Sequence, residues 1–237
     1  MQRVSLKFLA KELGIAEGTV SRALNDYPDI SEATRLRVKE AAEHYGYKAN
    51  QTARRLATGV AEAVAYLMPA NTNALSEPFV SQLLEGLAQS LAKRGWDLLV
   101  VQAASIEEEA ETIAKLSSSG KVSGVVISRP YKQDSRIDLL RKYKMPFIVH
   151  GRSVFHDDYA WYDVDSQSAF MDAVDHLVLL GHQKIGFVGA PTYYHFAQMR
   201  LDGYRDGLKH NGLSFNETLV EIAELSDDAG ERAGVSL

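Results

Sequence analysis

From residue 62 onward, short apolar runs alternate with amphipathic stretches, and that alternation limits the fold more than any other feature of the chain. The runs are 63–69 (AVAYLMP), 97–102 (DLLVVQ), 122–128 (VSGVVIS), 146–150 (PFIVH), 161–164 and 184–189 (KIGFVG). Each has the length of a buried strand. Between most of them, apolar residues recur at helical spacing, which predicts helices over 78–94, 105–118, 134–143, 166–180 and 197–211. Strand and helix in alternation mean a parallel sheet with helices on both faces. In such sheets ligands bind beyond the carboxyl ends of the strands, near a switch point in strand order.

The head of the chain has a different texture. Residues 5–25 read SLKFLAKELGIAEGTVSRALN, the pattern of a helix-turn-helix. Ser5 suits an N-cap, and Leu6, Leu9, Ala10 and Leu13 follow on one helical face. Gly14 stands where a helix end needs left-handed backbone. A second helix, from about 17 to 24, turns Val20, Ala23 and Leu24 inward and Glu17, Gly18, Thr19, Ser21 and Arg22 outward. Such a pair of helices can enter the DNA major groove, although many helical hairpins of this kind bind nothing. Ser31 predicts the cap of a third helix with a buried stripe of Val38, Ala41, Ala42 and Tyr45, ended by Gly46. Leu9, Leu13, Val20, Leu24, Val38 and Tyr45 would form a small core. Beyond it, Asn50 can cap a helix over 51–57 that Gly59 ends. That helix is too short to be stable in isolation and reads as a linker ordered only when something holds it.

Charge separates the two parts. Residues 1–59 carry ten Lys and Arg against seven Asp and Glu, and the rest carries 16 against 24, within a net charge of −5. A basic head on an acidic body concentrates attraction for phosphate at one end. Cysteine is absent, which excludes disulfides and thiolate metal sites. Lys7 and Lys11 interrupt any apolar signal core, and no run is long enough to span a bilayer. These features point to the cytoplasm, with no membrane partner and no cofactor.

An ordered set of motifs then resembles the bacterial LacI-type transcriptional repressors. The marks are Thr19-Val20-Ser21-Arg22-Ala23-Leu24-Asn25, Ile30-Ser31-x-x-Thr34-Arg35-x-x-Val38, Tyr45-Gly46-Tyr47-x-x-Asn50 and Ala53-Arg54-Arg55-Leu56. Further on come Asp163-x-Asp165, His176-Leu177-x-x-x-Gly181-His182-x-x-Ile185 and Arg200-x-x-Gly203-Tyr204. PFIVHGR (146–152) looks like the branch that regulates α-glucoside and other sugar-uptake genes. The resemblance implies an all-α helix-turn-helix headpiece (1–49), a hinge helix (50–59) and an α/β core like the periplasmic binding proteins. That core would have a first lobe over 62–163 and a partial second lobe over 164–237. Family members continue through further strands, so the expectation is a C-terminally truncated repressor lacking on the order of a hundred residues.

The resemblance also implies site residues. Glu17, Gly18 and Arg22 occupy the base-reading positions; Arg22 can bond guanine and Glu17 can accept from cytosine, while Gly18 reads little. Ser5, Thr19, Ser21, Asn25, Ser31 and Thr34 suit backbone-positioning contacts. The plainer alternative for Arg22 and Glu17 is a surface ion pair. Position 16, often Ser or Thr in the family, is Ala16 here. In the hinge, Leu56 is the wedge that would enter the minor groove from paired subunits, flanked by Asn50, Arg54 and Arg55. Effector contacts would come from Phe79, Ser128, Asp165, Tyr194, Phe196 and Arg200. Ordinary core packing is the alternative for the aromatics, and helix capping for Asp163 and Asp165. The implied partners are a palindromic operator in duplex DNA, a small sugar effector and a second copy of the chain.

Enzyme readings lose ground. Ser90-Leu91-Ala92-Lys93 matches an acylating-enzyme pattern in form, but it lies inside an amphipathic helix without partner motifs. The segment after the first strand, ANTNALSEP, is not a glycine-rich phosphate turn. The remaining rival is a sugar-binding module whose helical head binds another protein.

Overall fold

The computed structural model describes residues 4–47, 59–68, 75, 77–103, 105–154 and 158–237. The chain divides into two compact units, Met1–Val60 and Ala61–Leu237.

In the first unit, α1 (Leu6–Leu13), α2 (Glu17–Leu24) and α3 (Glu32–His44) follow the local signals. The Ser5 hydroxyl accepts the Phe8 N–H, and Gly14 turns at φ 65° to end α1. Ser31 caps α3 through the Thr34 N–H. Leu9, Val20, Ala23 and Val38 are fully buried where the three helices meet, with Leu13 and Leu24 packed at the margin. Tyr45 departs from the expected stripe. It stands at the C-cap of α3, 37% exposed, with its ring edge-on to Phe8, and Tyr47 packs on the core instead. The backbone leaves the helix at Tyr45, so helical spacing no longer aims its side chain inward.

Ala16 precedes α2 with extended backbone (φ −66°, ψ 145°) and gives no side-chain cap. Ala16→Ser should therefore stabilise this unit by about 0.5–2 kcal/mol. Thermal unfolding of the head checks this, and an unchanged midpoint would refute it.

In the second unit, β1 (Ala63–Met68), α4 (Pro78–Ala92), β2 (Asp97–Gln102), α5 (Ile106–Ser119), β3 (Gly124–Ser128), α6 (Ser135–Lys142), β4 (Phe147–His150) and β5 (Ala160–Tyr162) build one parallel sheet. Its order is β2-β1-β3-β4-β5. Side chains alternate across it as the pleat requires. Ala65, Leu67, Val125, Ile127 and Val149 meet Ile113, Leu116, Ile137 and Leu140 from α5 and α6. Tyr66, Met68 and Val126 meet Val80, Leu83, Leu84 and Leu87 of α4 on the other face. The order reverses between β1 and β3, so the crevice beyond their carboxyl ends is where such a sheet receives ligands.

The chain continues through α7 (Ser166–Leu179), β6 (Phe187–Gly189), α8 (His195–His210), β7 (Val220–Ile222) and α9 (Asp227–Ser236). Strands β6 and β7 pair in parallel as a second sheet. The predicted strand over 161–164 shifts to β5 because the Asp163 carboxylate takes the Val164 N–H and the Arg152 Nε, which ends the ladder. The run at 184–189 pairs only from Phe187; Ile185 is buried, and its carbonyl accepts the Tyr204 hydroxyl at 2.8 Å. Helix α8 starts two residues earlier than its periodicity suggests, and the N–H of its first residue, His195, reaches the Pro130 carbonyl. The parts of this unit built on the two sheets are stitched together there. Tyr131 and Tyr194 form an antiparallel bridge, the Lys132 N–H donates to the Tyr193 carbonyl, and the Lys132 ammonium donates to Gln198 at 2.9 Å.

Candidate functional site

Helix α2 carries the residues expected to read DNA. Glu17, Gly18 and Arg22 are exposed, with Thr19 and Ser21 half-buried beside them. A side chain at Gly18 would meet nothing within 4 Å, so the backbone there is open to close approach. Arg22 is ion-paired, with Asp29 rather than Glu17, and its guanidinium lies 5.8 Å from the Tyr27 ring. Residues 17 and 22 are five apart and do not face each other on a helix, whereas the turn after α2 brings Asp29 back. Other expected contact residues already hold local bonds. Ser5 and Ser31 are caps, Thr34 shares a 2.8 Å hydroxyl bond with Ser31, and the Asn25 amide donates to the Ser21 carbonyl. All four lie at helix ends, where their polar groups fix the helices that present α2. Asn50, Arg54, Arg55 and Leu56 lie outside the described residues.

The candidate effector cleft opens beyond the carboxyl ends of both sheets. Phe79 enters from the start of α4, Arg129 from the residue after β3, His150 from the end of β4, and Phe196 and Arg200 from α8. Arg129 holds a left-handed backbone (φ 51°), unusual for a side chain of its size. Its guanidinium forks onto the Glu77 carboxylate and lies 5.2 Å from the Phe79 ring. Gly151, at φ 112°, lets the following chain pass Pro130 where a Cβ would come within 2.6 Å of the proline ring. Arg152 then reaches the cleft, bonded to Asp163 at 3.1 Å and 5.1 Å from the Trp161 ring.

A buried ionic cluster supports this floor. Arg136 is 1% exposed and forks onto the fully buried Asp134, at 2.9 and 2.7 Å. It also donates to the Ser128 and Arg129 carbonyls. Burial alone would lower the Arg136 pKa, but the charge and hydrogen bonds of Asp134, with Glu109 behind, reverse the effect and hold it above its ordinary value.

Arg200 differs from its neighbours. No hydrogen bond or ion pair engages its guanidinium among the described residues; it lies 4.8 Å from the Phe196 ring and 5.5 Å from that of Phe170. Burial, and then the charge of Arg129, lower its pKa, opposed by Asp163. It stays charged at neutral pH, with its fork available to a ligand.

Of the effector contacts that the resemblance implies, Phe79, Phe196 and Arg200 line one cleft. Three other expected contacts are placed elsewhere. The Ser128 hydroxyl is fully buried against the Tyr66 hydroxyl at 2.6 Å, under α4. Tyr194 is 4% exposed and stacked on both Tyr131 and Phe196, so it backs the wall. The Asp165 carboxylate caps α7 through Ser168, which lowers its pKa. Glu77, Arg129, His150 and Arg152 line the cleft and were not among the expected contacts. Arg129 and Arg152 had a usable signal, since each stands within two residues of the end of an apolar run. Among the described residues no helix is long and apolar enough to cross a membrane, and no group of His, Asp and Glu could hold a metal ion.

Comparison with known proteins matches residues 5–50 to the family of bacterial regulatory proteins of the lacI type. Residues 61–233 match the periplasmic binding proteins and sugar binding domain of the LacI family. The transcriptional regulator AglR of Rhizobium meliloti is 38% identical over 97% of this chain, and RafR of Escherichia coli 30% identical over 99%. The chain spans 65% and 69% of those two proteins, about two thirds of their length. The solved complex of the regulator CelR with cellobiose superposes with a TM-score of 0.69 at 27% identity, covering 99% of this chain and 70% of CelR. The operator-bound lac repressor dimer shares the fold, with a TM-score of 0.77 at 23% identity over 98% of this chain and 68% of its own. With nearly all of its length matched by these two domain families in this order, the chain belongs to the LacI family of bacterial regulators.

Proposed function

We propose that this chain is a cytoplasmic transcriptional repressor whose α2 reads an operator in the major groove and whose cleft binds a sugar effector. The observation that carries the reading is the cleft itself. It offers an arginine fork free for hydroxyls (Arg200) beside exposed aromatic surface (Phe79), the pairing a pyranose needs, in a chain whose first unit carries exposed polar residues on its second helix. Paired heads on a palindromic site make the working form a homodimer, with residues 50–59 as the hinge between head and core. The effector alters DNA affinity to the extent that it binds one arrangement of the dimer better than another. No step of bond-making is required of any residue, so the function is regulation rather than catalysis.

Selection of bound DNA from a random pool, with and without α-glucosides, tests this reading. A palindrome released or retained by one sugar is the expected result. Arg22→Ala should then weaken binding to the selected site by about 5- to 150-fold, the 1–3 kcal/mol of one bidentate base contact. Affinity should also fall as salt rises. Binding indifferent to both Arg22 and salt would favour the rival in which the head docks on a protein.

A further inference from the structure

Arg22 is held on two sides. The Asp29 carboxylate meets it at Nη2, and the Tyr27 ring lies 5.8 Å from its guanidinium carbon. Both partners come from the stretch between α2 and α3, and that stretch is itself pinned. The Tyr27 N–H donates to the Arg22 carbonyl at 3.1 Å, and the Ile30 N–H to the Tyr27 carbonyl at 3.2 Å. From α3, the Arg35 guanidinium donates to the Tyr27 and Ile30 carbonyls, each at 3.1 Å, and the Lys39 ammonium to Asp26 at 2.6 Å. Asp26 makes the turn in left-handed backbone, at φ 57°, and Pro28 fixes its own φ. Asp29 therefore stands on a braced arm rather than on a free loop.

A carboxylate so placed either withholds Arg22 from DNA or aims it. The side chains of Arg22 and Asp29 keep 51% and 44% of their surface exposed. A pair that exposed is weak, so a bidentate contact with a base outweighs it. Its main effect is to hold one geometry of a long side chain that otherwise samples many. Nη2 is one corner of a group with five N–H donors, so a two-donor edge stays free. A guanidinium fixed in this way suits guanine, which accepts twice in the major groove. When guanine is missing it cannot swing freely onto a phosphate, and a phosphate placed there would also face the carboxylate.

We infer that Asp29 is a positioning residue for sequence reading. It orients Arg22 toward guanine and denies it to phosphates, so discrimination at one base pair depends on a residue outside α2. This rests on the major-groove reading proposed above and adds to it the source of that discrimination.

Selection from a random duplex pool, with the full chain and with Arg22→Ala, locates the base pair that Arg22 reads as the one whose preference the variant loses. Affinities for the selected duplex, and for versions changed at single pairs, are then measured for Asp29→Ala, Asp29→Asn and Arg22→Ala/Asp29→Ala. Asp29→Ala should cut the preference for guanine at that pair by about threefold or more and leave every other pair within about twofold. Asp29→Asn, which keeps an acceptor of the same shape, should fall between Asp29→Ala and the unaltered chain. The double variant should lose no more than Arg22→Ala alone, because Asp29 acts only through Arg22. A smaller change with Asp29→Ala, or a sharpened preference, would overturn the inference and leave the DNA reading standing. So would an equal loss at every pair, or a double variant that loses more than Arg22→Ala. A folded chain that enriches no duplex, or whose preferences Arg22→Ala leaves untouched, would overturn the inference and the DNA reading together.

Discussion

Asp134→Ala should lower the stability of the second unit by about 3–5 kcal/mol, the cost of breaking a buried ion pair from one side. Asp134 accepts the Tyr131 and Arg136 N–H groups as well as the Arg136 guanidinium, and neither charged side chain reaches solvent. Removing the carboxylate leaves a cation in low dielectric. Its Nη1 already lacks a hydrogen bond, and Glu109 is 4.0 Å away. Urea unfolding measures the effect as a shifted midpoint at constant slope. The double variant Asp134→Leu/Arg136→Met removes both charges and should cost less than the single one. A loss under about 1 kcal/mol for Asp134→Ala would mean that water or Glu109 compensates the guanidinium. The same substitution frees the Ser128–Arg129 backbone from its anchor, so ligand affinity should suffer in molecules that remain folded.

Gly203→Ala should cost about 3 kcal/mol or more, beyond the usual range for overpacking, because the obstacle is backbone. Helices α7 and α8 approach so closely that a Cβ at Gly203 would overlap the Gln167 carbonyl oxygen. One turn on, a Cβ at Gly207 would lie 2.7 Å from the Val174 Cβ and 3.1 Å from the Met171 carbonyl oxygen. Neither neighbour is the far end of a flexible side chain, so the helices themselves must separate. The Phe187, Leu201, Tyr204 and Leu208 cluster would then lose contact with Val174. Hydrogen exchange should show α7 and α8 losing protection while the first sheet keeps its own. Gly234→Ala serves as the control. It lies in α9 with open space around it, and there the helix preference of Ala should give a gain of about 0.5–1 kcal/mol. Equal effects at both positions would refute the packing argument.

Local signals in the sequence were sufficient for most elements, whereas the cleft residues that were named came from the family resemblance. Ser5, Gly14 and Ser31 act as the caps their types suggest, because capping depends on a few neighbouring atoms. Tyr45 and the ends of the strand runs at 161–164 and 184–189 were decided by partners distant in sequence, which periodicity does not see. Strand β7 was not anticipated at all; three residues, VEI, carry too little apolar pattern to stand out. The same division holds for the cleft. Phe79, Phe196 and Arg200 reach it from helix faces set by local geometry. Ser128 and Tyr194 are drawn away by Tyr66 and Tyr131, contacts that exist only once the first sheet has formed and α8 has docked beside it. Arg129 and Arg152 depend on a left-handed residue and a glycine at a close approach. Their charge marked them as polar, but only the position of each strand end shows that they line the cleft.

The stitching of Tyr131, Lys132, Tyr194 and His195 has a mechanical meaning. It fastens the loop after β3 to the start of α8 along one margin of the cleft. Any movement that keeps those bonds is a rotation about that line, like a door on its jamb. Groups beside the line, such as Phe196, travel little, while the far rim sweeps the most. A small ligand acting near such a fulcrum is levered into a larger displacement at the periphery, so the position of the seam fixes where an ångström of closure is spent.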